Sequence, residues 1–152
     1  MKSNNLLPLL TLALTVFAPA AFAEKPVQRK DLPAPVEKTV AKETEDATLK
    51  SLSTEPCEGK DKGKTCYEVE TIKGGMSRDL IVDSTGRVVE VEEGVAMADV
   101  PEPVKAAAAR LGGKILTAER VTMDAAVSYE LVVEKAGKKS EHAFLPDGTA
   151  KK

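Results

Sequence analysis

One motif occurs twice in this chain, and the repetition constrains its fold more than any other feature. Residues 31–40 read DLPAPVEKTV, and residues 99–108, 68 positions later, read DVPEPVKAAA. The similarity continues in YEVETIKGG at residues 67–75, which returns as YELVVEKAG at residues 129–137. Similarity over several elements is typical of a duplicated unit whose copies bury apolar surface together. We therefore predict two superimposable copies that share a core.

Each copy is predicted to begin with a helix. An aspartate and two prolines open both motifs, and prolines suit the first turn of a helix. In the second copy, Val104 and Ala108 recur at helical spacing. We expect Asp99 to cap this helix and Gly112 to end it. The first copy becomes polar after Val40, so the pattern defines the end of its helix poorly.

After each helix the pattern changes to strict alternation of apolar and acidic residues. Tyr67 begins such a segment in the first copy, and Tyr129 begins one in the second. Alternation is typical of antiparallel strands with one face exposed to water. The turns DSTG and PDGT contain Gly86 and Gly148, whose freedom to adopt positive φ suits hairpin connections.

The N-terminus has the features of a secretory signal peptide. One lysine is followed by an apolar run over residues 6–17 and a small-x-small ending. We expect residues 1–23 to be removed by cleavage between Ala23 and Glu24. A retained N-terminal anchor is the alternative, but the apolar run is shorter than the roughly 20 residues that span a membrane. We therefore expect a soluble monomer in the periplasm or outside the cell, with a flexible segment at 24–30 and no stable membrane insertion.

The two cysteines, Cys57 and Cys66, lie between the first helix and its tyrosine strand. The spacing of the copies falls from 68 to 62 over this interval, so the first copy carries six extra residues there. In an oxidising compartment such a pair normally closes. A redox pair and a metal site are the alternatives, but redox motifs place two residues between their cysteines, and the chain has no second ligand pair. We predict a structural disulfide that pins an inserted loop at 57–66. Closing this loop removes roughly 2.5–3 kcal/mol of chain entropy from the unfolded state in the loop-closure model.

Composition argues against several classes of partner and reaction. Without the signal peptide the chain has 21 basic and 24 acidic residues, a balance that favours neither nucleic acid nor an anionic membrane. Carboxylates are numerous enough for a paired-acid hydrolase, but aromatic residues, which stack on sugars in such clefts, make up 3% of the chain. Because aromatic residues are few and Val, Ala and Leu are abundant, the core is expected to consist of small aliphatic side chains.

We find no catalytic pattern in the sequence. The one histidine, His142, lies in SEHAF, where on a strand it would share a face with Ser140 and Phe144. A general base or a single metal ligand is one interpretation, but a surface or half-buried strand histidine is commoner. The chain has no Gly-x-Ser-x-Gly motif, no Cys-His arrangement and no phosphate-binding glycine loop, and DSTG lacks the ligands of a calcium loop. We predict a protein without enzymatic activity, metal or cofactor.

The order of these elements resembles the PepSY-like domain, whose tandem copies are related to the beta-lactamase-inhibitor-protein fold. The resemblance covers about residues 30–152 and lies in the Pro-x-x-Val helices, the Tyr-Glu-Val strand, a strand with two aspartates, the Asp-x-x-Gly turn and a glutamate-rich strand. It implies an α+β fold in which two tandem repeats, 31–95 and 96–152, form one antiparallel sheet with helices packed on one face. The second repeat ends at Lys152 directly after its turn, which leaves that sheet edge open.

In such a sheet the alternation assigns side chains to faces. Those predicted to face the helices are Tyr67, Val69, Leu80, Val89, Val91, Tyr129, Leu131 and Val133. Those predicted on the opposite face are Glu68, Glu70, Asp79, Glu90, Glu92, Glu130, Glu134 and Glu141. This face is either a solvated surface or a docking site for a basic or mixed-charge protein, with the hairpin at 73–77 on its rim.

The resemblance also implies a class of function. PepSY-like proteins are typically exported and noncatalytic, and they bind or restrain other proteins, peptidases and beta-lactamases among them. We therefore expect a protein partner in the cell envelope, such as a peptidase or another hydrolase. The alternative is a periplasmic stress protein that binds cations or a small ligand through its acidic strands.

Overall fold

The structure, a computed structural model, describes residues 25–151. Within this range the chain forms β1 (Lys25–Pro26), α1 (Ala34–Glu43), β2 (Thr48–Pro56), β3 (Thr65–Lys73), β4 (Met76–Asp83), β5 (Val88–Gly94), α2 (Glu102–Ala109), β6 (Lys114–Met123), β7 (Ala126–Lys135) and β8 (Lys138–Phe144). Single 3-10 turns lie at Arg29–Asp31 and Gly59–Asp61. The predicted signal peptide, 1–23, and its cleavage site between Ala23 and Glu24 lie outside the described residues.

The eight strands form one antiparallel sheet in which each strand pairs with its neighbour in the chain. Val69 pairs with Leu80, and Leu80 pairs with Val91, which aligns the apolar positions of β3, β4 and β5 on one face. α1 packs against this face through Val36 and Val40. The single antiparallel sheet with packed helices, expected for the α+β fold, is confirmed.

Each helix covers the strands of its own half. The buried cluster under α1 consists of Leu32, Val36, Val40, Leu52, Val69, Leu80 and Val82. The buried cluster under α2 consists of Val100, Val104, Ala108, Ala118, Leu131 and Phe144. The prediction of one shared core is wrong, because helices of 10 and 8 residues reach only the neighbouring strands and each covers a separate cluster.

The two helices begin in the same way. Pro33 and Pro101 are the N-cap residues, with φ/ψ of −56°/143° and −57°/142°, and their carbonyls accept the first helical hydrogen bonds. The predicted cap at Asp99 is wrong, because Asp99 lies two residues before the N-cap and no side chain caps α2. α2 also ends at Ala109, three residues before the predicted stop at Gly112.

Two strands that the alternation did not predict, β2 and β6, follow the helices. Each carries a β-bulge, at Lys50 and at Leu116, and the two bulges are 66 residues apart. The helix starts are 68 apart and the tyrosines 62 apart, so two of the six extra residues lie in the longer α1. The other four lie in the connection that contains the cysteines. The inserted loop is therefore smaller than predicted.

The turn glycines approach the helix starts in both halves. A Cβ atom on Gly86 would lie 2.5 Å from the carbonyl oxygen of Pro35, and one on Gly148 would lie 2.5 Å from that of Pro103. Both glycines have positive φ, 84° and 83°. The halves thus share a helix start, a bulge and a turn contact, and their origin as two superimposable copies stays a prediction.

A third bulge changes the face assignment in β5. The register shifts between Ile81 and Val82, so Val88 pairs with Val82 and packs on the cluster under α1. Val88 therefore takes the position predicted for Val89, which falls in the bulge. The strand continues with Glu90 pointing away from the helices, as predicted.

Both edges of the sheet are partly covered. Residues 24–30 were predicted to be flexible, but Lys25 pairs with Thr54 and the side chain of Val27 packs on the cluster under α1. At the other edge, Phe144 pairs with Ala150 in an isolated bridge. Residues 145–151 therefore fold back over the end of β8, where an open edge was predicted.

The predicted disulfide joins Cys57, directly after β2, to Cys66 in β3. Both cysteines are buried. Asp61 in the loop accepts a hydrogen bond from Arg87, which also pairs with Asp83 at the end of β4. The loop is thus fastened to the end of the sheet by a covalent bond and an ionic network.

Candidate functional site

The sheet face opposite the helices carries all eight acidic side chains predicted to lie there. Glu70 pairs with Asp79, and Asp79 pairs with Glu92, so three carboxylates cross β3, β4 and β5 in one row. Strand alternation places Glu68, Glu90, Glu130, Glu134 and Glu141 on the same side. These eight residues, together with Glu119, are called the acidic face below.

Glu119 was missed from the sequence. It lies on β6 and pairs with Glu130 on β7. Glu119 and Arg120 are adjacent in AERVTM, so charge alternation does not show which of the two points outward. The pairing of Gly94 with Glu119, which only the strand register reveals, settles the orientation.

The carboxylates crowd most closely around Glu92. Burial among its neighbours, followed by repulsion from Glu90, Glu130 and Glu119, raises the pKa of Glu92 to about 7. Burial, followed by a hydrogen bond with Glu141, raises the pKa of Glu130 to about 7. The face therefore holds carboxyl groups that exchange protons close to neutral pH.

The pKa values of two further carboxyl groups on this face are also raised. Burial raises the pKa of Asp79 above its usual range, although a hydrogen bond from the Thr71 amide opposes the change. Burial also raises the pKa of Glu90, against the attraction of Lys151. Because ionised carboxylates gather here with limited access to water, a cation from outside would relieve repulsion at several of them together.

The ends of the acidic face have basic or polar residues beside them in the strand register. Glu134 pairs across the strands with Lys114 and with Lys139. Glu68 accepts a hydrogen bond of 2.9 Å from the Ser53 hydroxyl. At the centre of the face, on β4 to β7, the attraction of Lys151 acts on Glu90 and Glu130.

Apolar side chains lie between the carboxylates. Ile81 pairs with Glu68 and Glu90, and Val121 pairs with Glu92. Val121 is 1% exposed. These side chains help to exclude water from the neighbouring glutamates.

His142 lies away from the acidic face. It pairs with Leu131 on the helix side of the sheet, shares that face with Ser140 and Phe144 as expected, and is half-buried. Its Nε2 atom is 2.8 Å from the Ser140 hydroxyl. Among residues 25–151, no group of three or more His, Cys, Asp or Glu side chains is arranged to hold a metal ion. In the same range, no helix has the length and apolarity needed to cross a membrane.

Sequence comparisons leave the family open. The chain matches no protein-family model and no curated protein sequence.

Solved structures share the fold. A DUF2874 family protein from Bacteroides uniformis is 20% identical, with a TM-score of 0.60 over 79% of this chain and 86% of that one. A protein from Bacteroides eggerthii, proposed to be periplasmic, is 16% identical, with a TM-score of 0.62 over 80% and 86%. A BLIP-like protein from Bacteroides fragilis is 16% identical, with a TM-score of 0.54 over 78% and 82%. The chain therefore has a BLIP-like fold, and its disulfide is consistent with a periplasmic or extracellular location.

Proposed function

We propose that this chain is an exported, noncatalytic PepSY-like protein of two tandem copies that binds, and thereby restrains, another protein of the cell envelope. A peptidase or another hydrolase is the expected kind of partner. The observation that carries the proposal is the acidic face, a half-buried group of carboxylates whose central members have no local cation except Lys151 among the described residues.

The fold supports this proposal because both helices pack on one face of the sheet and leave the acidic face free of helices. Helices occupy the other face, so β3 to β8 present a broad surface built on paired strands rather than on loops. Complementary charge on such a surface accelerates encounter with a basic partner more than it deepens affinity. The BLIP-like neighbour adds fold-level support, and the function itself rests on the site.

Reversing two central charges tests the proposal. In the double variant E90K/E92K, association with a partner captured from the source cell's envelope is expected to slow roughly tenfold, and its salt dependence to flatten. Stopped-flow or surface-based kinetics at several salt concentrations would measure both effects.

The matched control is E45K/E102K, which makes the same change in net charge just after α1 and at the start of α2. Both control positions are exposed, and Glu102 contributes only a surface ion pair with Lys105. Equal slowing in both double variants would reduce the effect to net charge and contradict a role for the acidic face. Titration calorimetry with divalent cations tests the alternative cation-binding function, which would give saturable heats that E90K/E92K abolishes.

A further inference from the structure

The sheet has a recess where its two halves meet. The last pair between β4 and β5 is Arg78 with Glu93, and the last pair between β5 and β6 is Gly94 with Glu119. β5 then leaves the sheet while β4 and β6 continue. The result is a recess of about 350 Å³, called the notch below. Its lining includes Met76, Ser77, Gly94, Met97, Leu116 and Thr117.

Exposed apolar side chains collect around the notch. Among the described residues, the large hydrophobic side chains with high exposure are Ile72 (37%), Met76 (42%), Met97 (36%) and Leu145 (39%). Met76 and Met97 line the notch, and Ile72 pairs with Ser77 on its wall. Single exposed hydrophobic residues need no explanation, but two that line one recess, with a third on the adjacent strand, are typical of an interaction site. Methionine is also the side chain that adapts most readily to different apolar guests.

The notch opens beside the acidic face. The Ser77 hydroxyl donates a hydrogen bond of 3.2 Å to Glu119, which lines the notch and also belongs to the acidic face. Glu119 pairs with Glu130, one of the central carboxyls. A group seated in the notch therefore has the carboxyl groups of the acidic face within one residue's reach along the same surface.

We propose that the notch receives one large apolar side chain from the partner protein, and that this side chain is flanked in the partner by lysine or arginine. The inference rests on the proposed function and specifies the chemistry of the partner's contact segment. Apolar burial in a recess and pairing of adjacent cations with carboxylates together give the arrangement of a binding hot spot with a charged rim. Apolar burial alone, or charge pairing alone, would discriminate less between partner proteins.

Methionine methyl resonances provide the test on the mature protein. Carbon-13 labelling of methionine gives signals from Met76 and Met97 in the notch and from Met123, which pairs with Glu90 elsewhere on the acidic face. The probe is a capped synthetic peptide with phenylalanine between two lysines. Matched peptides replace the phenylalanine by glycine or both lysines by glutamates.

The expected result is a saturable shift of the Met76 and Met97 signals that exceeds the shift of Met123. Replacing phenylalanine by glycine is expected to weaken binding about tenfold or more, and the glutamate peptide should lose it. A larger shift at Met123 would mean that cations bind the acidic face without the notch, which overturns this inference and leaves the proposed function standing. No shift at any of the three methyls overturns it as well.

A second occupant is distinguished in the same samples. Shifts of Met76 and Met97 that grow with protein concentration in the absence of peptide would assign the notch to a second copy of the chain and overturn the inference.

As a variant test, Met97→Ser is expected to weaken binding of the phenylalanine peptide about tenfold. Leu145→Ser removes a similarly exposed side chain outside the notch and should leave that binding unchanged. Equal losses in the two variants would also overturn it.

Discussion

Single carboxyl groups on the acidic face make the stability of this protein depend on pH near neutrality. The pKa of Glu92 is raised from 4.5 to about 7, so the folded chain holds its proton more tightly than the unfolded chain does. Stabilisation from this group is full below about pH 4.5 and is lost as the pH rises through about 7. Hydrogen bonds from Lys64 and Arg87 lower the pKa of Asp61, so the contribution of Asp61 is lost in acid. We expect the free energy of unfolding to be greatest at about pH 5 and to decline toward about pH 8.

The variant Glu92→Gln isolates this effect. It removes the charge that opposes folding, so it is expected to stabilise the protein by about 1–2 kcal/mol at about pH 8, after allowance for solvent screening, and by much less at about pH 5. Urea unfolding at the two pH values measures the difference. Glu134→Gln is the matched control, because Glu134 pairs with Lys114 and Lys139 and its loss should bring no gain. Equal changes at both pH values for E92Q would contradict this assignment.

The face of the sheet on which a side chain lies was predictable where the alternation of apolar and acidic residues was strict. Glu68 and Glu70 separate apolar residues in YEVET, so their face followed directly from period two. The pairing of Glu70 with Asp79 on β4 could not be predicted in this way, because it depends on strand register. The proton affinity of Glu92 was equally hidden, since it depends on neighbours from β4, β6 and β7.

At the scale of elements, each turn fits against its helix only because glycine has no side chain. Gly86→Ala would place a Cβ atom 2.5 Å from the Pro35 carbonyl oxygen and would strain a residue at φ 84°. We expect a loss of about 3 kcal/mol or more in the free energy of unfolding. Gly148→Ala, which meets Pro103 in the same way, should cost a similar amount.

The control for both variants is Gly137→Ala. Gly137 also has positive φ, 74°, but nothing lies within 4 Å of its added Cβ atom. Its substitution should therefore cost only about 1 kcal/mol, the conformational part of the effect. Chemical denaturation of the three variants compares them directly, and a loss at Gly86 no larger than that at Gly137 would argue against the shared turn contact.

Reduction of the disulfide should loosen one connection and leave the sheet intact. Opening the Cys57–Cys66 loop is expected to cost about 2–3 kcal/mol through greater freedom of the unfolded chain. The contacts of Asp61 with Lys64 and Arg87 remain to hold the loop in place. Urea midpoints with and without reductant measure the loss, and C57A/C66A should show no response to reductant. Two free thiols in exported protein, detected by mass spectrometry, would contradict the prediction of a structural bond.

The elements that sequence patterns missed have a common physical cause. β2 and β6 each contain a bulge near their start, at Lys50 and Leu116, and a bulge interrupts the alternation of period two within a strand. β2 also begins in a polar segment, TLKS, whose side chains at 48, 50 and 51 are exposed. The proline-rich helix starts lack such interruptions, which is why both helices could be placed from the sequence.

At the scale of the whole molecule, two small apolar clusters are joined by polar contacts and backbone pairing. β5 pairs with β6 across the junction. On the helix side, Glu93 of β5 pairs with Arg78 of β4 and with Arg120 of β6. The disulfide loop adds an ion pair of 2.6 Å between Lys60 and Asp124, which lies in the turn between β6 and β7. These contacts tie the halves together although each half has its own core.

The joined halves are therefore expected to fold as one cooperative unit. A chain of about 60 residues buries only about 60% of its surface and is marginal in stability, and the cluster under α2 contains only six buried residues, two of them alanines. A chain limited to residues 24–98 or to 96–152 would in addition expose β5 or β6 as an open strand edge. Circular dichroism is expected to show each half largely unfolded, whereas the whole chain unfolds in one transition with coincident spectroscopic probes. A separately stable half would place the main stabilisation within one copy and reduce the β5–β6 junction to a simple connection.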